Sequence, residues 1–414
     1  MILRARVILP ISAPPIEDGA LIINGGKISR VAPFRDLRPP ARETILDLGD
    51  VVVLPGLINA HCHLDYTDMA GQLSPPRAFT DWIASITAAK TGWSYSDYAR
   101  SWLTGARQLL STGVTTVADI EAMPDLLPDV WMATPLRVFS FLEMTGILSR
   151  RKPREILAEA VEKITSLKHP RNRAMLSPHA AYSTLPELLR QTAAVARRRR
   201  WLVSTHIAES EQEFDMFQHA TGAMHQWLGR NGRDNSDCGR GSPVAHFARN
   251  KLLGENVLAI HVNYLARGDA TLLAKNRTHV VHCPRSHDYF KHTPFPRQRL
   301  ANAGVNLCLG TDSLATTRQS GKEKPQLNIF AEMRLLADRD IGASPADILQ
   351  MATVNGARAL GSAGQIGQLS KNAAADWIAL PFAGKINKAF ESVIQHPGRI
   401  HAGMIAGKWT ISPP

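Results

Sequence analysis

Apolar residues along the chain fall into two textures. Short continuous apolar runs, the mark of strands buried on both faces, occur at 52–60, 113–119, 136–143, 173–178, 201–206, 257–262, 279–283 and 305–310. Between several of them lie stretches with helical spacing, Pro153 to Leu167, Pro186 to Arg200 and Asn328 to Ala337. Eight runs with helical crossovers predict a closed parallel barrel rather than an open sheet. The two ends read differently. Leu21-Ile22-Ile23, then Asn24-Gly25-Gly26, then Lys27-Ile28-Ser29-Arg30-Val31 predicts a hairpin. The same short-strand pattern returns at Ala375 to Leu380 and Gly403 to Trp409, so both chain ends are predicted to share one small sheet domain. The expected division is 1–55 and 361–414 for that domain and 56–360 for the barrel. The stretch 215–256 reads as a long excursion from one βα unit, either a lid or a subunit contact, and a homodimer is compatible with it.

Composition narrows the class. Of 414 residues, 44% are hydrophobic and 20% charged, a globular balance that excludes extended disorder. No apolar run is long enough to span a bilayer. The first ten residues lack the apolar core of a signal peptide, and the four cysteines, Cys62, Cys238, Cys283 and Cys308, form no CxxC pair. A cytoplasmic protein without disulfides is therefore expected. The formal charge is +12, and its sharpest cluster, Arg197 to Arg200, closes a predicted helix, where cations suit the dipole. Without aromatic–basic interleaving or zinc-finger spacing, neither nucleic acid nor membrane is an expected partner.

Ionisable residues recur where the runs stop. The first run ends in His61-Cys62-His63, the fourth in Pro178-His179, and the fifth in His206 with Glu209 three residues on. The sixth contains His261, the seventh reaches His282 and Pro284-Arg285-Ser286-His287, and the eighth ends in Thr311-Asp312-Ser313. Catalytic groups of a (β/α)8 barrel gather at the carboxyl ends of its strands. Alternate strand residues share a face, so His61 and His63 can bind one ion with Cys62 turned away. Imidazole and carboxylate donors suit Zn²⁺, with Fe²⁺ also admitted.

Leu54-Pro-Gly-Leu-Ile-Asn-Ala-His61-Cys-His63-Leu-Asp65, Thr205-His206-Ile-Ala-Glu209 and Leu309-Gly-Thr-Asp312-Ser313 together resemble the first-, fifth- and eighth-strand signatures of the amidohydrolase superfamily. The pattern is similar to its mononuclear deaminase and chlorohydrolase branch, which holds triazine hydrolases and S-adenosylhomocysteine and aminodeoxyfutalosine deaminases. The resemblance implies an α/β fold, a distorted (β/α)8 TIM barrel with a small β-sandwich from both ends. It implies one divalent metal on His61, His63, His206 and Asp312. It makes Glu209 the proton shuttle, His261 the histidine facing the reacting centre, and Asp312 a catalytic group as well as a ligand. Pro178-His179-Ala-Ala-Tyr-Ser resembles a substrate-contacting motif of adenosine-type deaminases. The fourth strand end has no lysine, so the two-metal arrangement is not implied.

There are two departures. Ser286-His287 stands where the branch often has Ser-Asn, and no acidic residue before the second strand matches the ribose-holding one of S-adenosylhomocysteine deaminases; Asp81-Trp82-Ile83 and Lys90 occupy that area. His179, Glu143, Arg285 and His287, with Tyr289 in the same loop, are the candidate substrate contacts. The expected activity is hydrolytic deamination of a small heterocycle, a purine of aminodeoxyfutalosine or adenosine type. Dechlorination or amide hydrolysis on the same metal site is the alternative, and a non-catalytic scaffold a remote one.

Overall fold

The computed structural model describes residues 1–37, 44–147, 151–319, 321 and 324–413. Its strands in chain order are β1 (Ile2–Ile8), β2 (Ile16–Asn24), β3 (Lys27–Pro33), β4 (Ile45–Asp47), β5 (Val51–Pro55), β6 (Leu57–Cys62), β7 (Val114–Glu121), β8 (Arg137–Met144), β9 (Arg173–Pro178), β10 (Val203–Ile207), β11 (Val257–His261), β12 (His279–His282), β13 (Leu307–Leu309), β14 (Trp377–Pro381), β15 (Ala402–Ile405) and β16 (Lys408–Ile411). They form two sheets. One runs β16-β15-β14-β5-β1-β2-β3, with β4 beside β1. The other runs β6 to β13 in sequence order, all parallel, and a bridge between Cys62 and Asp312 brings its two edges together.

The run 52–60 is two strands, not one. β5 pairs with β1 and β14 in the sheet built from both ends, and β6 opens the barrel. The break is at Gly56, where a Cβ would lie 2.1 Å from the Thr115 side chain of β7. Continuous hydrophobicity hides such a corner, because both strands are buried on both faces. The Arg-rich run does close a helix, Pro186–Arg199, with Arg200 as its left-handed cap. The 215–256 excursion begins within helix Glu211–His219 and holds helices Gly222–Arg230 and Pro243–Arg249. No described helix is long and apolar enough to cross a membrane.

The barrel interior is packed with Ile58, Ala60, Ile120, Phe141, Ile260, Val281 and their neighbours. Side chains of opposite parity, such as Val117, Val138, Leu176 and Val280, face the helices. Period-two alternation from Ile58 and Ala60 would send His61 outward. A register shift between Asn59 and Cys62 in the β6–β7 pairing changes the parity. His61 and His63 therefore follow Ala60 onto the inner side, and Cys62 packs outward.

Candidate active site and metal centre

The side chains of His61, His63, His206 and Asp312 meet above that packed interior, with donor atoms all within 4.8 Å of one another. His61 is fully buried, and neither of its ring nitrogens has a hydrogen-bond partner. Two orphaned nitrogens in a sealed site are costly unless a cation accepts one as a donor. His206 Nδ1 lies 2.9 Å from the His179 carbonyl, which fixes its proton there and leaves Nε2 for a ligand. Burial, reinforced by the His179 and His61 imidazoles, pulls His206 down to about 3. Burial and then His61 hold His63 well below its ordinary value. Both are neutral near pH 7, as metal ligation requires. Burial alone would raise Asp312, yet the His61 imidazole, its Nε2 3.4 Å from Oδ1, and the other surrounding imidazoles bring it well below the usual carboxylate range. Three imidazoles and a carboxylate are a fitting donor set for one divalent cation.

Strand ends bend sharply to make this convergence. Ala208, His261, Val262 and Asp312 all have positive φ, from 51° to 72°. For a β-branched residue such as Val262 this is a rare conformation, and strain of this kind collects at functional sites. Gly310 lets the last strand press against the first: a Cβ there would lie 2.8 Å from the His61 carbonyl oxygen. Asn59 completes the closure, donating to Thr311 Oγ1 at 2.7 Å and accepting from the Thr311 N–H at 3.0 Å.

Glu209 lies beside the donor set, with Oε1 3.6 Å from His261 Nε2. Glu209, His261 and Asp312 bring donor atoms within 4.8 Å of each other. Burial, then the charges of Asp312 and Glu213, push the Glu209 carboxyl well above its ordinary value. Its backbone is held from both sides: Glu213 accepts its N–H at 2.8 Å, and Asn263 Nδ2 donates to its carbonyl at 2.9 Å. Asp312 Oδ2 accepts from Ser286 at 2.6 Å and Thr316 at 3.2 Å.

A cavity of 760 Å³ opens onto these groups. His179 and Glu143 line it, 3.7 Å apart, and His179 Nδ1 is 2.7 Å from Ser183 Oγ. Arg285 and His287 are not among its lining residues, a difference from the sequence reading. Helix Ile329–Arg339 buries Glu332 completely, and Arg285 is its counter-ion: Nε pairs with Oε1, the backbone N–H donates to Oε2 at 2.8 Å, and Nη1 donates to the Gln326 carbonyl. His287 is 3.1 Å from Asn263 Oδ1 and lines a separate 660 Å³ cavity with His282 and His292. Tyr289 is buried, its hydroxyl on the Leu73 carbonyl at 3.3 Å.

Sequence reasoning passed over three groups. Ser286 lay inside a motif it quoted, but a hydroxyl gives no sign of which carboxylate it serves. Tyr66 stacks on His63 with rings 7° from parallel. Asp119 and Glu121, at the end of β7, join Asp65 in a buried carboxylate cluster. Burial, then Asp119, raises Asp65, and burial alone lifts Asp119 to about 7 against hydrogen bonds from Leu64 and Trp102. The signal was available, since strand two ends Asp119-Ile120-Glu121.

Residues 52–410 match the family model described as Amidohydrolase family. A 5-methylthioadenosine/S-adenosylhomocysteine deaminase of Syntrophobacter fumaroxidans is 31% identical over 383 residues, 88% of this chain and 80% of that protein. A 5'-deoxyadenosine deaminase of Methanothermobacter thermautotrophicus is 28% identical over 365 residues, 85% of this chain and 78% of that one. Among solved structures, Helicobacter pylori aminofutalosine deaminase in complex with methylthio-coformycin superposes with a TM-score of 0.87 at 19% identity, covering 99% of this chain and 100% of that one. An adenosine deaminase from Xanthomonas campestris with bound zinc gives 0.83 at 23%, covering 99% and 92%. At those identities the two structures speak for the fold.

Proposed function

We propose, from the premise that the chain belongs to the amidohydrolase family, that it is a metal-dependent hydrolytic deaminase of an aminated purine or related N-heterocycle. The observation that carries the reading is a raised, buried Glu209 beside four converging metal donors at the wall of a substrate-sized cavity. His61, His63, His206 and Asp312 would hold the ion. When bound, it supplies a Lewis acid and a water of lowered pKa. Zinc is the ion we assign, from the imidazole-rich donor set.

Glu209, its carboxyl held above its ordinary value by burial, is the acid that donates to the ring nitrogen next to the carbon under attack. Asp312 is ionised and takes the proton the attacking water gives up. His261 is neutral, because burial holds it well below its ordinary value, and its Nε2 has no protein partner. It faces the oxygen that becomes negative in the tetrahedral centre. The amine then leaves as ammonia, carrying the proton from Asp312, while the hydroxyl of the tetrahedral centre gives its proton to Glu209 as the C=O bond forms. His179 and Glu143 orient the heterocycle. A reducing, cytoplasmic setting suits the four buried thiols.

The test is ammonia release from a panel of aminopurines, their nucleosides, pterins and triazines with zinc-loaded protein. Turnover of a purine member is expected, with Glu209→Gln lowering kcat about 10²–10⁴-fold while retaining its metal. Wild-type turnover in Glu209→Gln, or chloride release from chlorotriazines without any deamination, overturns the reading.

A further inference from the structure

The cavity over the metal centre has an uneven wall. Its apolar part is built from Ile83 and Ile86 of helix Phe79–Lys90, with Ile147, Trp227 and Leu228. Three carboxylates line it: Glu209 and Asp312 belong to the reaction, and Glu143 faces His179. Among the described lining residues there is one lysine or arginine, Lys90, the last residue of that helix. Its side chain is half-buried. The amine donates to the Tyr66 hydroxyl at 2.7 Å and lies 4.9 Å from the centre of the Tyr66 ring. Tyr66 is itself fixed by stacking on His63. Among the described residues no carboxylate oxygen comes within 4.0 Å of the amine, the limit for an ion pair.

An ammonium carries three donors and no acceptor. One donor of Lys90 is satisfied by Tyr66; no described carboxylate pairs with the amine directly, although its charge reaches the buried Asp65 carboxyl, and apolar walls deprive it of part of its water. A charge in that position is stabilised by an anion and left uncompensated by a neutral ligand. The chemistry it selects against is equally definite. A sugar diol offers hydroxyl donors that bind best to a carboxylate, and at this place the chain presents another donor.

We infer that Lys90 is a specificity-determining residue that pairs with an anionic oxygen group, carboxylate or phosphate, carried by the substrate beyond its amino heterocycle. The inference rests on the deaminase reading above and deepens it. The preferred substrate is an acidic amino-heterocycle rather than a nucleoside with only hydroxyls on its tail. The role is in binding.

The experiment compares adenosine, adenosine 5'-carboxylate and adenosine 5'-monophosphate with the zinc-loaded enzyme, reading ammonia. One or both anionic compounds are expected to exceed adenosine in kcat/KM by about tenfold or more, the worth of one charge-assisted hydrogen bond. The two anionic arms separate carboxylate from phosphate. Lys90→Met is expected to collapse that ratio about tenfold through KM, Lys90→Arg to keep it, and Lys90→Glu to invert it. Thermal unfolding of each variant establishes that the comparison is between folded proteins. The wild-type ratio alone decides should a variant fail to fold. Equal kcat/KM for all three compounds, or a ratio unmoved in folded Lys90→Met, overturns the inference and leaves the deaminase reading intact. No ammonia from any of the three or from the wider purine panel overturns that reading, and this inference with it.

Discussion

The sheet built from both chain ends and the mouth of the barrel treat polar groups in opposite ways. In the sheet, Leu3, Leu21, Val53, Trp377 and Met404 fill the core, and the charges stay at the rim. Arg4 pairs with Asp18 and Asp47, and Arg6 with Asp50, all on side chains at least 36% exposed. Among the described residues of that sheet, one buried side-chain polar atom lacks a partner, Trp377 Nε1. At the mouth the unpartnered buried atoms accumulate: both nitrogens of His61, both oxygens of Asp65, and atoms of Glu121, Glu213 and His261. Each costs about 1–3 kcal/mol if nothing satisfies it. A fold tolerates that concentration where a bound ion and substrate complete the set, with stability made elsewhere. The sheet makes stability, and the mouth consumes it.

The sharpest way to break this contrast is to remove what the mouth is built for. Asp312→Ala deletes a metal donor and the acceptor of the water's proton together, so turnover should fall at least about 10⁴-fold and bound metal should be lost. Stripping the ion from the wild type with a chelator should lower its unfolding free energy, and zinc at about 100 times its Kd should restore about 2.7 kcal/mol. Metal content and denaturant titration check both. A protein equally stable with and without the ion would mean that the orphaned nitrogens do not await a cation.

Next in size is Arg285. It was read from sequence as a substrate contact, but the contrast makes it a structural cation at the mouth's edge. Arg285→Met leaves Glu332 ionisable, fully buried and without its counter-ion, at a cost of about 3–5 kcal/mol. Arg285→Met combined with Glu332→Met should recover most of that loss. Purified, metal-loaded Arg285→Met should keep its substrate KM, which a contact residue would not.

That case shows where sequence reading stopped. The eight runs and most of their ionisable ends were legible because hydrophobic runs and HxH, THIAE and GTDS motifs are local signals. Gly56 as a corner and the parity shift behind His61 were not. Both depend on what β7 places against β6, through Thr115 in one case and a register irregularity in the other. Arg285 and Glu332 are 47 residues apart, and nothing near either names its partner. Lys90 was noted as a departure; its position on Tyr66 needed the helix to be folded beside the 3-10 turn at Leu64–Met69.

A smaller effect lies in the pH dependence of the mouth. Burial pushes Glu213 up to about 7 from an ordinary 4.5, against hydrogen bonds from the Glu209 and Ala208 backbones. The folded state therefore holds a proton that the unfolded chain releases near 4.5. Stability falls as pH rises between about 4.5 and 7, and the loss is complete above that window. Glu213→Gln keeps an acceptor and removes the titration, so its unfolding free energy should vary with pH by about 1–3 kcal/mol less than the wild type over that range. Urea titrations at pH 5 and pH 8 measure it, and parallel slopes in the two proteins would sink it.

The smallest effect belongs to the sheet, and its smallness is what the contrast requires. Arg4 makes two hydrogen-bonded ion pairs, at 2.7 and 3.2 Å, and lies 4.3 Å over the Phe34 ring. Yet all three charged side chains keep access to water, which supplies nearly the same interaction once the pair is broken, and salt screens the remainder. Arg4→Met should therefore change the unfolding free energy by less than about 1 kcal/mol, and the change should shrink further at high salt. Arg285, with one buried partner, should exceed it severalfold. If Arg4→Met instead matched Arg285→Met, burial would not be what separates the two regions, and the orphaned groups at the mouth would lose their claim to mark function.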